Sequence, residues 1–129
     1  MLTNFLLVAF GSAIGGMGRY AIGLQFPFDP AINDIALGTL AVNIVGSFIA
    51  GLLVAWSLPG GFLQGQGGWQ LFLIVGICGG FTTFSAFSLD TFTLLQQGEP
   101  YAAMVNSVIS VGGALAAVTA GIAVGWATG

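Results

Sequence analysis

Apolar residues run through this chain in four long stretches, each closed by a short cluster of proline, glycine or glutamine. The first runs from about Leu2 to Leu24 and stops at Gln25-Phe26-Pro27-Phe28-Asp29-Pro30. Prolines and an acid directly after an apolar run mark its exit. The second covers about Ile35 to Leu58 and ends at Pro59-Gly60-Gly61. The stretch through Gln64-Gly65-Gln66-Gly67-Gly68 then reads as a flexible polar connection. The third spans about Trp69 to Gln96, opening on an aromatic suited to the membrane interface. The turn Gln97-Gly98-Glu99-Pro100 leads into the fourth, about Tyr101 to Trp126. A bilayer crossing takes about 20 mostly apolar residues, so the pattern predicts an all-α membrane protein. One integral membrane domain covers 1–129, with spans at about 2–24, 35–58, 69–96 and 101–126. No Lys or Arg precedes the first apolar run, so it is expected to be a retained span and not a signal peptide.

Composition narrows the function classes. Only 4% of the 129 residues are charged, against 57% hydrophobic, where a globular protein carries about 25% charged residues. The charges are Arg19, Asp29, Asp34, Asp90 and Glu99. One arginine and no lysine leave no basic surface for phosphates, so no nucleic-acid partner is expected. The absence of histidine and the single Cys78 exclude a transition-metal site and an internal disulfide; Cys78 reads as a small buried thiol. No catalytic residue is assigned, and the chain is not expected to be an enzyme. Membrane orientation normally follows an excess of Lys and Arg in short cytoplasmic loops. With Arg19 alone to count, insertion both ways is plausible, and with it an antiparallel dimer about an axis in the membrane plane.

Small residues recur at four-residue spacing: Gly11 and Gly15, Ser47 and Gly51, and the track Gly113, Ala117, Gly121 and Gly125. Such tracks let helix backbones approach in a membrane, and self-association is expected. Polar residues at membrane depth are expensive and therefore candidate functional groups. Thr39, Asn43 and Ser47 share one face of the second span, where hydrogen bonding between helices competes with a functional reading. Asn106 and Ser110 lie one turn apart in the fourth. Two facing stripes of neutral donors suit a narrow path for a small anion, because amide and hydroxyl groups replace water without binding irreversibly.

The densest polar cluster lies in the third span, Gly79-Gly80-Phe81-Thr82-Thr83-Phe84-Ser85-Ala86-Phe87-Ser88-Leu89-Asp90. Paired glycines followed by two β-branched hydroxyl residues make a poor helix interior, so the helix is predicted to break between about Cys78 and Thr83. Irregular backbone at membrane depth survives where protein or a watery cavity satisfies it, and broken helices in transporters coordinate ions. Phe81, Phe84 and Phe87 follow at three-residue spacing and are expected to share a face. Apolar packing explains such a row, but aromatic rings also carry a positive edge, and rings beside Thr83, Ser85 and Asn43 could contact an anion.

These motifs resemble a family of bacterial fluoride channels, the CrcB or Fluc family. The matching pieces are Gly15-Gly16-Met17-Gly18-Arg19-Tyr20, Gly38 to Phe48 around Asn43, and Gly79 to Ser88. The resemblance implies a passive fluoride exporter of the cell inner (plasma) membrane, multi-pass, built as a dual-topology antiparallel homodimer with two pores. It implies a third helix broken in mid-membrane and a structural sodium ion, required but not transported, held by the backbone carbonyls of Gly79 and Thr82. By motif position the pore phenylalanines are Phe84 and Phe87 and the pore amide is Asn43. Asn106 and Ser110 correspond to a polar track in the fourth span. Thr39, Thr83 and Ser85 complete the expected fluoride-pore set, Phe81 falls outside it, and Asp90 and Arg19 match an acidic and a basic position near it. The rival is a small multidrug-resistance exporter, whose proton coupling needs an acid inside the first span; none of the four acids lies there.

Overall fold

The computed structural model describes all 129 residues, Met1–Gly129, and is helical throughout, with no strand. Helix α1 spans Leu2–Gln25 and α2 Leu37–Ser57. The third apolar run is built from α3 (Gly67–Gln70), a π-helical segment (Leu71–Cys78), α4 (Gly79–Phe81) and, after two extended residues, α5 (Phe84–Gln96). Helix α6 (Pro100–Thr128) closes the chain, with Pro100 in its first turn, where the missing amide hydrogen has no helical partner to lose. Four segments, Leu2–Gln25, Leu37–Ser57, Gly67–Gln96 and Pro100–Thr128, are long and apolar enough to cross a membrane. The protein is a multi-pass membrane protein.

Packing follows the small residues. Helix α1 lies along the π-helical segment and α4, and α2 lies along α6, which also receives α5. A Cβ added to Gly11 would sit 2.8 Å from the Gly76 Cα, and one on Gly15 would run into the Ile77 carbonyl. On the other side, a Cβ on Gly121 would strike the Phe48 carbonyl, and one on Gly51 the Val118 carbonyl. Apolar attraction between helices is weak where lipid is equally apolar, so this close backbone contact supplies dispersion that larger side chains would prevent. Of the expected tracks, Gly11, Gly15, Gly51, Gly121 and Gly125 all meet a neighbouring helix in this way; Gly76 and Gly80 join them from the third span.

One expectation is sharpened and two are corrected. The break falls inside the predicted stretch from Cys78 to Thr83, at its far end: Gly79 and Gly80 are helical, and the extended residues are Thr82 and Thr83. The glycines serve approach instead, since a Cβ on Gly80 would lie 2.5 Å from the Ser12 carbonyl oxygen. Phe81 does not share a face with Phe84 and Phe87, because the break intervenes. Its ring packs instead where a Cβ on Gly18 or Gly46 would meet it, at 3.4 and 3.1 Å. The connection after α2 is not a loose polar tether. Leu63 is buried with Leu53 and Cys78, its amide bonds the Trp56 carbonyl at 2.9 Å, and the Gln64 and Gln70 side chains bond the loop backbone at Gly60 and Leu63.

The single chain buries only 19 residues, and its outer faces are rings and branched aliphatics that only lipid or another copy can cover.

Candidate functional site

Breaking a helix frees peptide groups, and each must find a partner when water is absent. Thr82 ends the first half: its amide and its hydroxyl both donate to the Cys78 carbonyl, at 3.0 and 2.9 Å. Thr83 begins the second half as an N-cap, its Oγ1 accepting from the Ala86 amide at 3.1 Å. The Thr83 peptide groups themselves are held from another helix. The amide donates to Asn43 Oδ1 at 2.7 Å, and the Thr83 carbonyl accepts from Asn43 Nδ2 at 2.9 Å. One carboxamide thus replaces both ladder bonds that the interrupted helix cannot make. The Gly80 carbonyl accepts from Arg19 Nε at 3.2 Å. The carbonyl oxygens of Gly79 and Thr82 accept no hydrogen bond from the chain.

Beside the splinted break lies an open cavity of about 340 Å³. Its polar lining is Asn43, Ser47, Thr82, Thr83 and Ser110; its apolar lining is Phe84, Phe87, Val111, Ala114 and Leu115. The two phenylalanine rings stand 5.5 Å apart, tilted by 49°, and Phe84 is 77% exposed on the single chain. No lining residue carries a formal charge. The site can therefore offer a small ion hydroxyl and amide dipoles and ring surfaces, and nothing that would hold it as a fixed counter-charge.

Five of the eight residues expected in the pore meet at this cavity: Asn43, Thr83, Phe84, Phe87 and Ser110. Three do not line it. Thr39 donates to Asp90 Oδ2 at 2.6 Å and faces a second cavity of about 320 Å³ with Arg19, Tyr20, Thr83 and Ala86. Ser85 pairs its hydroxyl with that of Thr83 at 3.2 Å. Asn106, only 1% exposed, accepts from the Ala36 amide at 3.3 Å and donates to Thr91 Oγ1 at 3.2 Å. It therefore ties α6 to the start of α2 and to α5. Ser47 joins the lining although it was not placed in the expected set; the signal was its position one turn beyond Asn43 on the Thr39-Asn43-Ser47 stripe. Gly79 and Thr82 line a third cavity of about 350 Å³, together with Ser47 and Leu115. A Cβ built on Gly79 finds only one neighbouring atom, the Ile74 oxygen at 3.8 Å. Two residues with unpaired peptide oxygens at the edge of one cavity fit a hard cation, which takes oxygen ligands.

Residues 6–122 match the family model described as CrcB-like protein, Camphor Resistance (CrcB). Curated relatives extend over nearly the whole chain. The fluoride-specific ion channel FluC of Rhizobium leguminosarum bv. trifolii is 45% identical over 119 residues, 92% of this chain and 93% of the relative. That of Agrobacterium fabrum is 44% identical over 124 residues, 96% and 97% of the two chains. That of Nitrobacter winogradskyi is 43% identical over 125 residues, 89% and 91%. With a family model over most of its length and relatives at this identity, the chain belongs to the CrcB family.

Proposed function

We propose that the protein is a fluoride-selective channel of the cell inner membrane, through which the anion leaves the cytoplasm passively. The observation that carries this reading is the uncharged cavity at the break, where Asn43, Ser47, Thr83 and Ser110 converge on the Phe84–Phe87 pair. Hydroxyl and amide hydrogens replace the water lost by a small anion, and the positive edges of the rings favour an anion over a cation. The names of the curated relatives support the same ion. Neutral HF crosses membranes and releases fluoride in a near-neutral cytoplasm, so a passive leak is useful: the inside-negative potential drives each charge outward with about 2.3 kcal/mol per 100 mV.

The working unit in this reading is an antiparallel homodimer with two pores. Phe84 is too exposed on one chain for a dry ion path, and Gly79 and Thr82 supply only two free oxygens. A second copy related by a two-fold axis would bring the same pair again. Those four carbonyls would hold a structural sodium ion, which would supply a fixed positive charge at the meeting of the two breaks.

Purified protein in fluoride-loaded liposomes tests the reading. Rapid voltage-driven fluoride efflux that spares chloride is expected, and its absence would overturn the function. Replacing sodium on both sides by a bulky organic cation should abolish the flux; indifference to the exchange would remove the sodium site and leave the channel standing.

A further inference from the structure

Arg19 is the only cationic side chain in the sequence, and it sits inside α1, six residues before that helix ends at Gln25. A charge within a membrane helix is costly unless it has a partner or a watery cavity. Arg19 has both: it lines the second cavity, and its single hydrogen bond within the chain runs from Nε to the Gly80 carbonyl. That carbonyl belongs to the last turn before the break, where helix oxygens lose their partners and carry the negative end of the helix dipole. Four carbonyls follow one another at the break, those of Gly79, Gly80, Phe81 and Thr82; Arg19 holds that of Gly80, and those of Gly79 and Thr82 accept no bond from the chain.

The geometry around this bond is stiff. Seven residues before Arg19 on the same face of α1, Ser12 touches Gly80 so closely that a Cβ on Gly80 would lie 2.5 Å from its oxygen. Gly15, on that face too, leaves no room for a Cβ beside the Phe81 amide, which a Cβ would meet at 2.7 Å. The Gly80 peptide is therefore fixed by backbone contact on one side and by Arg19 on its oxygen.

We propose that Arg19 is a positioning residue for the cation site: by holding the Gly80 carbonyl toward α1, it leaves the Gly79 and Thr82 oxygens as the free pair. This rests on the sodium site proposed above. It assigns the arginine a directional hydrogen bond rather than the task of attracting anions by its charge.

Glutamine separates the two roles, because its Nε2 stands as many bonds from the backbone as Arg19 Nε but carries no charge. Methionine keeps the length and loses both donor and charge; lysine keeps the charge and moves the nitrogen one bond further. The readout is thermal stability of the detergent-purified protein against sodium concentration, since a cation that binds only the folded state raises its melting temperature. Arg19→Met is expected to raise the half-stabilising sodium concentration about tenfold, as loss of a group that orients a metal ligand does. Arg19→Gln should stay within about threefold of the unmodified protein, closer than Arg19→Lys. Equal shifts for Gln and Met, or Lys closer than Gln, would overturn the positioning role and favour the charge. The Gln and Lys comparison stands by itself if Arg19→Met fails to fold. If the unmodified protein gains no stability from sodium, the site and this role fall together, whereas fluoride efflux in liposomes still reports on the channel.

Discussion

The third span solves one problem in two ways on either side of Thr82–Thr83. Its first half, Gly67 to Phe81, is held by the absence of side chains: Gly76 and Gly80 meet α1 at Gly11 and Ser12, backbone against backbone. Its second half, α5, is held by polar side chains: Asp90 takes the Thr39 hydroxyl at 2.6 Å, and Thr91 takes the Asn106 amide at 3.2 Å. Both are ways of fastening helices where lipid competes for apolar contact. They differ in what they tolerate. A close backbone contact admits no added atom, whereas a hydrogen-bonded pair between membrane helices contributes roughly 0.6 to 2 kcal/mol and can be lost without collapse. The cavity beside the Phe84–Phe87 pair lies at the change from one regime to the other.

That contrast orders a set of expected effects. Gly15→Val puts a branched side chain into the Ile77 carbonyl; an overpacked contact with no flexible neighbour is expected to exceed about 3 kcal/mol, and size-exclusion chromatography of extracted protein should show no monodisperse peak. Phe84→Ala and Phe87→Ala sit beyond the break, and should suppress fluoride efflux from liposomes while chromatography still shows an intact assembly. Full flux from both would remove the ring contribution. Asn43→Leu leaves the Thr83 amide and carbonyl without their partners, a loss of about 2 kcal/mol, visible as a lower thermal midpoint together with slowed efflux. Thr83→Val removes the N-cap of α5 and the hydroxyl contact with Ser85, about 1 kcal/mol, and hydrogen exchange should quicken at Ser85 and Ala86 while the π-helical segment stays protected. Thr82→Val is the smallest. The Thr82 hydroxyl bonds a carbonyl that already accepts the Thr82 amide, so the midpoint should move by less than about 0.5 kcal/mol. A larger effect for Thr82 than for Thr83 would invert the picture of the break.

Hydropathy made the four spans legible, because bilayer thickness sets their length and prolines punctuate their ends. The position of the break was legible only to within a few residues. Intrinsic propensity disfavours helix at Gly79, Gly80, Thr82 and Thr83, and somewhat more at the glycines. The decision came from α1, whose Ser12 needs the bare Gly80 backbone, and from Asn43, whose carboxamide matches the peptide of Thr83 and not that of Gly80. The π-helical turn widening at Leu71–Cys78 had no sequence signal, since its residues are ordinary apolar ones. Spacing grouped Asn106 with Ser110, yet only Ser110 reaches the cavity, because the α2 start at Ala36 and Thr91 engage Asn106 one turn away. Arg19 was legible as an outlier, but its partner on α4 belongs to tertiary structure alone.

Thr83 is the one residue shared by the linings of the cavity at the phenylalanine pair and the cavity at Arg19, and both of its peptide dipoles are already spoken for by Asn43. The Thr83 peptide, where the two chambers meet, thus presents no free dipole to either of them. In the proposed channel, an ion crossing from one chamber to the other would be weighed by side chains, among them the Thr83 hydroxyl, the Phe84 and Phe87 rings and the Arg19 guanidinium, so selectivity would be adjustable without refolding the wall between them.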